Sequence, residues 1–391
     1  MKILLAHNYY QQPGGEDTAF RAERDMLKEY GHTVIEYTDH NDRIKIMSPM
    51  AVARDTIWST YSYNRILQIV KKEKPDIAHF QNTFPLISPS AYYACYRAGL
   101  PVVQILQNYR FMCPAATLYR NNQICKICIK KILPWPSLIY SCYHSSLIHT
   151  VVLAAMLTIH RWLRTWQKQV NAYIALTQFG RKLFIESGLP EERIFIKPNF
   201  IYPEPQARET NGSYVLFVGR LSKEKGISTM LRAWKLLKDI PLKIAGDGPL
   251  MNEVKNIVNN NKMKNIEILG FQTKEQIISL IKGSKFLVFP SEWYEGLPLT
   301  IIEAFACGVP IIASRLGAME EIIHNGYTGL HFIPGNYENL AEKIEWSWVH
   351  KEKMEEMGEN ARKEFEEKYT SVQNFKILNK IYENAINMNR R

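Results

Sequence analysis

The sequence predicts an α/β protein made of two parallel-sheet domains, and three observations carry that expectation. Short apolar runs alternate with helical patterns through the first half, the alternation restarts after a proline-rich stretch at Pro198–Pro205, and apart from Lys243 and Glu267 the runs of the second half carry no charge. Alternation of this kind implies βαβ units, and charge-free strands suit a sheet covered on both faces. At 391 residues the chain is too long for one small core and long enough for two. A 46% hydrophobic and 22% charged composition excludes a chain that stays disordered.

In the first half, strands are expected at Lys2–His7, His32–Tyr37, Asp76–Phe80 and Pro101–Leu106. A turn at Pro13-Gly14-Gly15 separates the first strand from a helix over Glu16–Tyr30, whose apolar positions are Phe20, Met26 and Leu27 and whose stop is Gly31. In the second half, strands are expected at Tyr214–Val218, Leu242–Ala245, Ile266–Leu269, Phe286–Phe289 and Pro310–Ala313, with Lys243 and Glu267 their only charges. Helices are expected at Ile227–Leu237, around Glu303, and at Val372–Met388. The domains are therefore placed at 1–198 and 199–371, with a terminal helix at 372–391.

Charge is distributed unevenly. The formal net charge is +11, and no acidic residue occurs between Asp76 and Glu186, a stretch holding eleven lysines and arginines. A field of one sign attracts phosphates, anionic lipid or nucleic acid. No helix-turn-helix, zinc-finger or RNA-binding signature accompanies it, so no nucleic-acid partner is expected. The first residues lack the pattern of a secretory signal, which suggests a cytoplasmic protein.

Leu147–Ile159 is apolar but shorter than the roughly 20 residues a membrane-spanning helix needs. The mixture that follows, Arg161, Trp162, Arg164, Trp166 and Lys168, fits a helix lying at a membrane interface and equally fits a buried helix with a solvated end. Cys113, Cys125, Cys128 and Cys142 have a spacing compatible with a structural zinc site, or with plain thiols, because only the middle two form a close pair. Cys95 and Cys307 read as core residues.

The chemistry concentrates in the second half. After the strand ending at Phe289 come Glu295-Gly296-Leu297-Pro298, then Leu299-Thr300 opening a helix that carries Glu303. Both glutamates can face the crevice at the carboxyl ends of the strands. The helix start offers free N–H groups and a positive dipole end to a diphosphate, and a carboxylate one turn on can take two bonds from ribose hydroxyls. Gly219-Arg220-Leu221-Ser222-Lys223-Glu224-Lys225-Gly226 also joins a strand to a helix, and its Arg220 and Lys225 can stabilise charge on a departing diphosphate.

With these residues the chain resembles glycosyltransferase family 4. The likeness is carried by GRLSKEKG at Gly219, GDGP at Gly246, EGLPLTIIEAFACGVPIIAS at Glu295 and GYTGL at Gly326. NYRFMCP at Asn108 and the cysteine cluster resemble a subgroup tied to bacterial surface polysaccharide synthesis. The resemblance implies two Rossmann-like domains facing each other across a cleft, the GT-B fold, with the last helix crossing back to the N-terminal domain. It implies an acceptor-binding first domain and a nucleotide-sugar-binding second domain. It further implies a hexosyl- or N-acetylhexosaminyltransferase that retains anomeric configuration and needs no catalytic metal. The expected donor is a UDP-sugar, and the acceptor a glycan or a polyprenyl-diphosphate-linked glycan at the inner face of the membrane.

By the same resemblance, Arg220 and Lys225 hold the pyrophosphate beside Gly219 and Asp247, while Glu303 holds the ribose. Glu295 meets hydroxyls of the transferred sugar, Gly270-Phe271 flank the base, and Gly14-Gly15 approach the diphosphate. The subgroup has histidine before Asn-Tyr-Arg; here Gln107 stands there, which can hydrogen-bond a sugar but cannot carry a proton. His79 is a second catalytic candidate. A nucleotide-sugar-binding protein with weakened turnover is the alternative that Gln107 suggests.

Overall fold

The computed structural model describes residues 1–12 and 14–389, so Pro13 of the expected turn lies outside the described residues. The chain divides into two compact units: Met1–Leu118, Lys126–Pro198 and the helix Ser371–Asn389 form the first, and Tyr119–Cys125 with Asn199–Thr370 form the second.

The first unit is built on a six-stranded parallel sheet of β1 (Lys2–Tyr9), β2 (Thr33–His40), β3 (Ile77–Asn82), β4 (Val102–Leu106), β7 (Ala172–Ala175) and β8 (Ile194–Ile196). Their spatial order is β2-β1-β3-β4-β7-β8. β5 (Tyr119–Arg120) and β6 (Gln123–Ile124) form a small antiparallel hairpin assigned to the second unit. Central strands such as Val102–Leu106 are buried along their whole length, because helices cover both faces.

The second unit holds β9 (Tyr214–Val218), β10 (Leu242–Ala245), β11 (Ile266–Gly270), β12 (Ser284–Phe289), β13 (Ile311–Ser314) and β14 (Gly329–Phe332). All pairs are parallel, and the order is β11-β10-β9-β12-β13-β14. This is the doubly wound order, in which the winding direction reverses between β9 and β12. Helices from either side of such a switch point diverge, leaving a hollow at the carboxyl ends of the two strands. Lys243 and Glu267, the two strand charges, pair with each other at 3.1 Å across β10 and β11.

The four-cysteine expectation is corrected. Among the described residues no three His, Cys, Asp or Glu side chains come together to hold a metal. Cys128 is buried with its sulfur 3.9 Å from the Pro134 carbonyl, and Arg161 lies near both Cys113 and Cys128. The positive charge of that guanidinium disfavours a metal cation beside it. Cys95 and Cys307 are core residues, as expected of isolated thiols in apolar runs.

Candidate active site

Four loops at the carboxyl ends of β9, β10, β11 and β12 are knitted together by backbone bonds. Gly219 N–H donates to Ala245 at 3.0 Å, Leu221 N–H to Asp247 at 2.9 Å, Gly246 N–H to Gly270 at 2.8 Å, and Glu292 N–H to Glu224 at 2.8 Å. Such close approach requires glycine. A Cβ on Gly246 would lie 1.9 Å from the Gly219 oxygen, and one on Gly226, at φ +69°, 1.9 Å from the Pro290 oxygen. Gly226→Ala is therefore expected to cost about 1–3 kcal/mol through strain at that turn. Thermal unfolding would check it, and a variant as stable as the parent would show that the two loops can part without cost.

Across the β9/β12 switch point, Lys225 Nζ donates to Glu295 Oε1 at 2.7 Å, and Ser291 Oγ donates to the same oxygen at 2.5 Å. The ammonium also lies 5.6 Å from the Phe289 ring and 5.5 Å from the Trp293 ring, so rings and carboxylate fix its position together. Arg220 is exposed at the end of β9.

Glu303 sits in the helix Leu299–Ala306, where burial raises its carboxyl to about 6, opposed by the charge of Lys274. That helix starts at Pro298 with no side-chain cap and no acid in its first turn, and so does the helix Ile227–Trp234 behind Gly226. Two positive dipole ends are thus left without side-chain neutralisation. Leu297 is buried and its carbonyl accepts from Asn199 Nδ2 at 3.1 Å, which steadies the Gly296–Thr300 entry. Phe271 is 79% exposed beside Gly270, an open aromatic face next to the same loops.

In the first unit Gly14 precedes the helix Gly15–Glu29, and its N–H donates to Asp17 Oδ2 at 3.1 Å. Asp17 in turn binds His7 Nε2 at 2.7 Å, tying the glycine turn to β1. Beside it stands a group the sequence reading missed. Glu16 accepts from Asn108 Nδ2 at 2.9 Å and from Tyr10 Oη at 3.1 Å, and burial raises its carboxyl against those two bonds. In sequence it is one acid in a helical first turn, where such acids ordinarily complete the dipole; only the fold brings Asn108 to it.

Gln107 is half-buried, with Nε2 3.5 Å from Gln81 Oε1. His79, the second catalytic candidate, has the environment of a structural histidine. It is wholly buried, with Nδ1 2.7 Å from the Tyr382 hydroxyl and 3.0 Å from Glu23 Oε1, and burial lowers its pKa to about 4. β3 carries that side chain under the helix Ser371–Asn389, which it secures through Tyr382.

Residues 200–364 match the family model described as Glycosyl transferases group 1. An uncharacterized glycosyltransferase of Methanocaldococcus jannaschii is 32% identical over 203 residues, 51% of this chain and 57% of that protein. D-rhamnosyltransferase WbpZ of Pseudomonas aeruginosa is 31% identical over 179 residues, 44% of this chain and 47% of that protein. The chain spans about half the length of these curated relatives. Among solved structures, Anabaena HepE in complex with UDP superposes with a TM-score of 0.70 at 16% identity, covering 98% of this chain and all of that one. Sucrose-phosphate synthase from Thermosynechococcus elongatus gives 0.70 at 15% identity, covering 98% and 99%. The fold is that of GT-B glycosyltransferases.

Proposed function

We propose that this chain is a retaining glycosyltransferase of the family 4 type that takes a sugar from a nucleotide diphosphate donor, a UDP-sugar, and passes it to a glycan or polyprenyl-diphosphate-linked acceptor in cell-surface polysaccharide synthesis. The observation that carries this reading is the Lys225–Glu295 pair at the β9/β12 switch point, beside two uncapped helix starts with Glu303 behind one of them. An anion of two phosphates suits the helix starts and the cations Lys225 and Arg220. A pair of vicinal hydroxyls suits the Glu303 carboxylate, and the sugar hydroxyls suit Glu295. The exposed Phe271 ring offers a stacking face for a base. As the bond to the anomeric carbon breaks, Lys225 and Arg220 stabilise the charge gathering on the departing diphosphate, which can itself accept the acceptor's proton. The named relatives and the UDP-bound fold neighbour support this reading.

A panel of UDP-, GDP- and ADP-sugars tests it by thermal shift and by hydrolysis. One donor at about 100 times its dissociation constant is expected to add roughly 2.7 kcal/mol of stability, and to be hydrolysed slowly with retention. If no member of the panel stabilises the protein or is turned over, the reading fails.

Glu303 predicts a pH dependence. Its folded pKa, about 6, lies above the ordinary carboxylate value, and ribose hydroxyls bind the ionised form. Donor affinity should therefore be full above pH 7 and fall about tenfold by pH 5, where roughly one carboxylate in ten is ionised. Isothermal titration with a UDP-sugar, whose diphosphate does not titrate in this range, would show the slope, and Glu303→Gln should flatten it at a uniformly weaker affinity.

A further inference from the structure

We propose that the outer face of the helix Leu147–Trp162, with the short helix Trp135–Ile139 packed against it, is a docking surface for an anionic lipid bilayer. This deepens the transfer reading above by naming the surface that would hold the enzyme beside a lipid-linked acceptor.

The helix Leu147–Trp162 is apolar on two opposite sides. Thr150, Leu153, Ala154, Leu157 and His160 face inward and are buried. His160 is fixed there by the Thr165 hydroxyl and the Ile57 carbonyl, each at 2.9 Å. On the other side, Ile148, Val151, Ala155, Ile159 and Trp162 recur at helical spacing and are open to solvent to varying degrees. Ile148 and Trp162 are each 76% exposed, and Ile139 on the short helix is 66% exposed. Nearly half of the large apolar side chains that the described residues leave exposed fall between residues 127 and 163, about a tenth of the chain. Isolated exposed apolar residues are ordinary, whereas a continuous stripe is a surface awaiting a partner.

The surrounding charge selects the partner. The stripe lies within the stretch from Asp76 to Glu186 that contains no acidic residue. Lys126, Lys130, Arg164 and Lys168, before and after it in the chain, are exposed, as are Trp135 and Tyr140; of these cations Lys130 lies 3.8 Å from Glu186 Oε1. A second copy of the chain would bring two like-charged faces together, at an electrostatic penalty. An anionic bilayer attracts this excess of positive charge, gives the apolar stripe an acyl layer, and gives the indoles the headgroup boundary they favour. No helix among the described residues is long and apolar enough to cross a membrane, so this helix would lie in the plane of the interface.

The test is sedimentation of the full chain with extruded vesicles of phosphatidylcholine alone or with phosphatidylglycerol. The expected result is binding to the phosphatidylglycerol vesicles only, weakened by added salt. The triple substitution Ile148→Ser, Ile159→Ser, Trp162→Ser should weaken it by about tenfold or more. Separately, Arg164→Glu with Lys168→Glu, both exposed, should abolish the preference for anionic lipid. Donor-induced thermal stabilisation measured on the same variants should be unchanged, showing that they fold. It also separates this proposal from the transfer reading: a protein that binds vesicles but no nucleotide-sugar keeps the surface and loses the enzyme. The proposal is overturned if phosphatidylglycerol vesicles do not bind, if the triple variant binds as well as the parent, or if analytical ultracentrifugation shows a dimer that the triple substitution dissociates.

Discussion

Lys225→Ala is expected to lower transfer turnover by about 10²–10³, the usual effect of deleting one preorganised charge from a polar reaction. Lys225 is held by Glu295 and Ser291 and flanked by Phe289 and Trp293, so it needs little rearrangement to meet a developing negative charge. Its removal also leaves the Glu295 carboxylate, 8% exposed, with a lost partner, which should cost about 1–3 kcal/mol of stability. The two effects can be separated. Adding Glu295→Gln should restore much of the thermal stability while turnover stays low. Arg220→Ala should cost less than Lys225→Ala, because Arg220 is exposed and more of its freedom must be lost on each turnover. Single-turnover rates and melting curves on these variants decide the matter. A Lys225→Ala enzyme within a factor of about three of the parent would leave the lysine with a structural role only.

Lys197→Met is expected to produce the largest loss of stability. Lys197 is 1% exposed, 2.7 Å from Glu23 Oε2 and 3.0 Å from Asn374 Oδ1, while Gln81 Nε2 donates to the other Glu23 oxygen at 2.7 Å. Burial alone would push the Glu23 carboxyl upward; the charges of Lys197 and His79 and the bonds from Lys197 and Gln81 outweigh it and hold it below the ordinary range. Stripping the cation from such a site typically costs about 3–5 kcal/mol, which lowers the melting temperature of a unit this size by roughly 10 °C. Lys197→Met combined with Glu23→Gln should recover most of it, since the buried charge goes too. The same cluster sets a pH response. The pKa of His79, about 4, lies below its ordinary 6.5, so the unfolded chain takes up that proton first. Its contribution is therefore intact above about pH 6.5 and declines as the pH falls toward 4. Calorimetry across that range checks the sign.

Most of the scaffold could be read from the sequence because its strands are short, mainly apolar runs punctuated by glycine and proline. Tyr214–Val218, Leu242–Ala245 and Ile266–Gly270 fall within a residue of expectation. Ala172–Ala175, Ile194–Ile196 and Gly329–Phe332 escaped, since runs of three or four residues do not stand out by themselves, and pairing with a neighbour is what makes them strands. The site divides the same way. Lys225 and Glu295 sit in loops whose glycines announce tight turns, and their partnership follows from strand order. Glu16 with Asn108 joins residues 92 apart, and His79 with Tyr382 joins residues 303 apart. No local pattern contains such pairs. The cysteines misled because spacing says nothing of the arginine placed near two of them.

The return of the helix Ser371–Asn389 to the first unit has a consequence for synthesis. The groups that close over Lys197 and His79, Asn374 and Tyr382, are translated only after the whole of Asn199–Thr370. On the ribosome the second unit can therefore finish folding while the first still shows an open polar seam. A nascent chain stalled short of residue 374 should expose Glu23 and Lys197 to water and to proteases, and emergence of the helix Ser371–Asn389 is the event that seals it.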